Sequence, residues 1–158
     1  MTVTCALVRA VPDSFADCEL TWIERAAPDV VLARKQHNSY VSAIRASGLE
    51  VLVLPPDEAH PDCPFVEDIV LELGHLRVLT SPGAASRRAE RSVVAAAIGE
   101  HVRMPEHLRL DGGDVIRLGE RVWVGESTRT RPEAIHWAAS AGSILGLRAL
   151  LDLSLIHI

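Results

Sequence analysis

A chain of 158 residues, 48% of them apolar, has the material for one substantial core and is too short for two ordinary domains. Its formal charge of −5, with 16 lysines and arginines scattered along the chain, argues against nucleic acid as the main partner, since phosphate binding needs a concentrated basic surface. No stretch is long and apolar enough to span a membrane, and the start, MTVTCALVRAVPDS, lacks the basic and apolar regions of a secretory signal.

These features predict a cytoplasmic protein that acts on a small molecule. The three cysteines, Cys5, Cys18 and Cys63, have no C-x-x-C spacing and suggest neither a disulfide framework nor a zinc site. Cys5 reads as a buried hydrophobe and Cys18 as a loop residue.

Cys5 to Val11 reads as a buried strand, followed by a polar loop that runs to Leu20. Asp29, after Pro28, is placed to cap a helix whose face carries Ala33, His37, Tyr40, Val41 and Ile44, and Gly48 ends it. LEVLVLPP is a second strand, stopped by two prolines. HPDCPFVED (His60 to Asp68) then crowds acids before IVLELGHLRVLTSP, which reads as a hairpin turning at Gly74-His75. SRRAERSVVAAAIGEHV reads as an alanine-rich helix.

The same order recurs. DGGDVIRLGERVWVGES is a second hairpin, turning at Gly119-Glu120, and TRPE has the form of a capping box, Thr130 with Glu133. Asp68 aligns with Asp114, Gly74 with Gly119 and Arg87 with Arg129, a repeat of about 45 residues that points to a propeller-like assembly of equivalent modules. Around a shared centre, the acids before the hairpins and the arginines after them would complement a zwitterion with a cationic end, such as an arginine derivative. Asp114, which follows two glycines, reads as structural. Cys63 is the one thiol beside these acids, but its only adjacent base is His60, whose rigid flanking prolines disfavour a catalytic pair, so it reads as a bystander.

The strings LPPDEAHPDCPFVED, TSPGAASRRAE, LDGGDVIRLG and VGESTRT together resemble the dimethylarginine dimethylaminohydrolase family of the guanidino-group-modifying, or pentein, superfamily. The resemblance implies a pentein-type α/β propeller of ββαβ modules, of which this chain would hold about three of five. It also implies hydrolysis of asymmetric dimethylarginine and monomethylarginine to citrulline and a methylamine, with no cofactor and no metal. In the sites so implied, Asp62 and the Leu20 carbonyl hold the substrate α-amine. Asp68 and Asp111 hold the guanidinium with Glu67 beside them, and Arg87 and Arg129 clamp the α-carboxylate. Some members carry Glu where this chain has Asp111.

No catalytic residue is assigned within the chain, because the family's histidine and cysteine are expected beyond residue 158. An arginine deiminase or an amidinotransferase of the same superfamily is the runner-up activity, and a non-catalytic arginine-binding fragment is the alternative outside enzymes. Neither nucleic acid nor membrane is expected as a partner, while a homodimer is compatible with the family.

The last residues, LSLIHI (Leu153 to Ile158), read like a translated sequencing adapter. Residues 1–152 are accordingly expected to form the N-terminal part of a single catalytic domain, and 153–158, His157 included, to be a non-native tail.

Overall fold

The computed structural model describes residues 5–20, 26–73, 76–118 and 121–144. It is mixed α/β, and the chain divides into two compact units, residues 1–66 and 67–158. The turn residues Gly74-His75 and Gly119-Glu120, and the tail after residue 144, lie outside the described residues.

In the first unit, β1 (Cys5–Arg9) pairs in parallel with β2 (Glu50–Leu54), from Cys5 opposite Glu50 to Arg9 opposite Leu54. Parallel neighbours need a crossover, and α1 (Val30–Ala46) supplies it. The helix starts where the sequence placed its cap: the Asp29 carboxylate accepts the Leu32 amide at 3.0 Å, satisfying one of the orphan donors of the first turn. It ends before Gly48, whose φ of +88° is a conformation that side chains disfavour.

Expectations for this unit are corrected at two residues. Of the predicted face of α1, Val41 is buried and Ala33, His37 and Ile44 are half-buried, whereas Tyr40 is 58% exposed. Arg34 spends its Nε on the Val11 carbonyl at 3.0 Å. Cys5, read as a buried hydrophobe, is exposed at the start of β1, whereas Cys18 lies in the loop as expected and is buried there.

The second unit carries the repeat. β3 (Val70–Glu72) and β4 (Arg77–Leu79) form an antiparallel hairpin, with Val70 opposite Leu79. A 3-10 turn (Ala85–Glu90) runs into α2 (Arg91–Ile98), and β5 (Val102–Arg103) returns in parallel to β4, completing one ββαβ module. The alanine-rich helix therefore stops at Ile98 rather than continuing to Val102. Gly99, at φ +67°, reverses the chain, and Arg77 Nη1 donates to the Ile98 carbonyl at 2.7 Å.

A second hairpin, β6 (Val115–Leu118) with β7 (Arg121–Val124), precedes α3 (Pro132–Ile144). Leu71, Leu73, Leu76, Val78, Met104, Leu110 and Ala134 form the core of the unit, and Val115, Val122, Val124 and Trp137 pack against it. Burying such side chains contributes about 1.5–3 kcal/mol each. On the outer side of β6, Ile116 and Leu118 stay 54% and 65% exposed. Among the described residues, no helix is long and apolar enough to cross a membrane.

Candidate active site

Asp68 closes a short 3-10 turn at the mouth of β3, and its backbone is pinned there because its carbonyl accepts the Thr80 hydroxyl at 2.6 Å. Its Oδ1 accepts the Gly113 amide at 2.9 Å, and its Oδ2 is hydrogen-bonded by Arg87 Nη1. Arg87 is 2% exposed and reaches Glu90 with its other face, Nε to Oε1 at 3.0 Å and Nη2 to Oε2 at 3.1 Å. Burial opposes the Arg87 charge, but Glu90 and Asp68 outweigh it and hold its pKa above the ordinary value.

Asp111 sits one residue after Leu110, which bridges to Ser81, so its backbone is anchored in the core. Its carboxylate accepts the Gly83 amide at 2.7 Å and lies 3.5 Å from Arg129 Nη1. Burial pushes the Asp111 carboxyl up, and the Asp68 charge adds to this; the Gly83 amide and Arg129 pull the other way without cancelling it. The two acids therefore sense one another. Glu67 is exposed to solvent, yet partial desolvation raises its carboxyl against a hydrogen bond from its own backbone, with Asp68 adding a further push upward.

Glycine lets these segments meet. A Cβ on Gly112 would stand 1.8 Å from the Glu67 carbonyl oxygen, and one on Gly83 would stand 2.5 Å from the Arg129 Cα. Only a residue without a side chain permits such backbone approach. DGGD thus serves both as a turn before β6 and as the socket for the Glu67-Asp68 segment.

Asp68, Arg87, Asp111 and Arg129 are all brought together in the second unit. The sequence reading gave Asp68 and Arg87 to opposite ends of a substrate, and the structure puts them in direct contact. In the first unit, Asp62 is buried and both of its oxygens accept the Glu19 amide at 3.2 Å, which draws Leu20 alongside it. The neighbouring His60 is engaged by Asp57 at 2.8 Å, and Asp57 also holds buried Arg9 at 3.1 Å. Cys63 is buried, its thiol turned to the Asp57 carbonyl at 3.8 Å.

The capping box is corrected. α3 begins at Pro132, a good first helical residue, and the Thr130 hydroxyl is spent elsewhere: it accepts the Asp111 amide at 3.1 Å and donates to Asp114 Oδ2 at 2.5 Å. Sequence reasoning missed Glu90, Ser127 and Thr130 as site supports. The spacing of Glu90, three residues after Arg87 on a helical turn, was the available signal for the first. Among the described residues, no His, Cys, Asp or Glu cluster is arranged to hold a metal ion.

No protein-family model matches the chain. It is 38% identical over 149 residues to the dimethylarginine dimethylaminohydrolase of Streptomyces coelicolor, covering 92% of this chain and 58% of that protein. To the Pseudomonas aeruginosa protein of the same name it is 32% identical over 146 residues, covering 85% and 58%. A solved structure of the Pseudomonas aeruginosa protein, a cysteine-to-serine mutant complexed with citrulline, matches with a TM-score of 0.92 and 29% identity, covering 100% of this chain and 64% of that one.

The N-terminal domain of a cyanobacterial arginine dihydrolase, bound to substrate, matches with a TM-score of 0.75 at 18% identity, a likeness of fold alone. The architecture common to these proteins is the α/β pentein fold. The chain belongs to the dimethylarginine dimethylaminohydrolase family. It spans about three-fifths of the length of the relatives it matches.

Proposed function

We propose that the protein to which this chain belongs is a cytoplasmic enzyme that hydrolyses asymmetric dimethylarginine and monomethylarginine to citrulline and a methylamine. The observation that carries this reading is the Asp68–Asp111 pair. Two carboxylates, each fixed by a glycine amide, suit the planar cation of a guanidinium and would hold its central carbon for attack. Glu67 lies next to the pair in sequence. Arg129 takes the substrate carboxylate, while Arg87, whose nitrogens engage Glu90 and Asp68, sets the Asp68 carboxylate; Asp62 and the Leu20 carbonyl take the α-amine. Binding at that remote end positions the end that reacts.

In this reading a cysteine thiolate from outside residues 1–158 bonds to the guanidinium carbon. A histidine, also from outside, protonates the departing methylamine, and water then releases citrulline and restores the thiol.

Citrulline release by the full-length protein, given asymmetric dimethylarginine, monomethylarginine and arginine in turn, tests the proposal. Turnover of the methylated substrates is expected. Release from arginine alone would make the protein an arginine deiminase instead, and citrulline formation by residues 1–158 alone would mean that the nucleophile lies within them.

A further inference from the structure

We propose that Asp114 is a positioning residue that ties the guanidinium end of the substrate site to its carboxylate end and so sets the substrate length accepted; this rests on the roles given above to Asp111 and Arg129. Asp114 follows the glycines of DGGD, and its Oδ2 receives two hydroxyls, Ser127 Oγ at 2.7 Å and Thr130 Oγ1 at 2.5 Å. An ionised carboxylate only accepts, so both hydroxyls must donate to it, and their lone pairs are thereby turned to backbone amides. Ser127 Oγ takes the amides of Arg129 at 3.0 Å and Thr130 at 3.1 Å, and Thr130 Oγ1 takes the amide of Asp111 at 3.1 Å. One carboxylate oxygen thus organises three amides, two of which belong to Asp111 and Arg129, the residues assigned above to the guanidinium and the carboxylate, whose side chains meet at 3.5 Å and whose spacing is therefore set from this turn.

The main chain of Asp114 joins the same two segments. Its amide donates to the Asp111 carbonyl at 3.1 Å and its carbonyl accepts the Gly125 amide at 2.8 Å. Thr130 is fully buried, so no water competes for its hydroxyl. The side-chain network is therefore more than a turn satisfying itself: it clamps the loop carrying Arg129 onto the turn carrying Asp111.

The test compares full-length wild type with Asp114→Ala, Asp114→Asn, Ser127→Ala and Thr130→Val. The first reading is the ratio of kcat/KM for monomethylarginine to that for its homologue with one more methylene. Asp114→Ala is expected to shrink that ratio about tenfold, while Asp114→Asn, which keeps an acceptor oxygen, stays within about threefold of wild type. The second reading is amide hydrogen exchange, expected to quicken about tenfold at Asp111, Arg129 and Thr130 and not across the core.

A folded Asp114→Ala protein with an unchanged ratio and unchanged exchange at these amides overturns the proposal. If Asp114→Ala does not fold, Ser127→Ala and Thr130→Val are judged by the same two criteria. Absence of turnover on any methylated arginine by wild type removes the functional reading, and the exchange comparison then decides the positioning role by itself.

Discussion

Glu90 shows how much of this site rests on a side chain that need never meet substrate. It is 1% exposed and holds two nitrogens of Arg87, which in turn grips Asp68. Glu90→Ala would leave a buried guanidinium without the carboxylate that holds two of its nitrogens; we expect a loss of about 3–5 kcal/mol in urea unfolding of the full-length protein. A change below about 1 kcal/mol would mean that Arg87 finds other partners at no cost.

Asp111 gives a prediction with a sign. Its folded pKa is raised, so its contribution to stability is complete below the unfolded value of about 3.9 and is lost as pH rises through the folded value. Asp111→Asn cannot ionise, and its stability relative to wild type should therefore climb as pH rises above about 4, until the folded carboxyl has ionised. Urea titrations at stepped pH measure the gap, and a pH-independent gap would contradict the buried-acid account. The sequence displayed Asp68 and Asp111 because acids beside turns are conspicuous. It did not display that Arg87 faces Asp68, since that depends on a side-chain direction set by burial.

At the scale of elements, the interlock of DGGD with the Glu67-Asp68 segment is the most exacting feature. Gly112→Ala must move a backbone carbonyl that stands 1.8 Å from the new methyl, and we expect a loss of at least about 2 kcal/mol by thermal unfolding. Gly48→Ala is the control: nothing lies within 4 Å of its Cβ, and only the strain of its positive φ, about 1 kcal/mol, should be felt. Equal losses would show that the Gly112 contact relaxes freely.

Elements with a local signal were readable beforehand. The Asp29 cap, Gly48 and both hairpins follow from patterns within a few residues. The short strand β5 was not readable, because two residues carry no periodicity and its pairing with β4 is decided by tertiary contact. The exposure of Tyr40 and the diversion of Thr130 from helix cap to site support were hidden for the same reason: local propensity was satisfied by more than one arrangement.

Across the whole molecule, the 45-residue repeat survives as two successive hairpin-and-helix units, the first complete with its returning strand. That repeat was legible because both copies spend residues of the same kind at the same step: an acid or its glycine socket before the hairpin, an arginine after it. Which unit each site residue falls in was not legible, since compactness is a property of contacts rather than of spacing.

The outer side of β6 has a practical meaning for anyone who purifies residues 1–158. Ile116 and Leu118 present bare hydrocarbon next to a sheet, as do Leu52 and Val53 on β2. A net charge of −5 spread over 158 residues does little to keep such faces apart at close range, since screening limits repulsion to about 10 Å in ordinary buffers. Charged side chains placed on those strands are therefore expected to raise the solubility of residues 1–158.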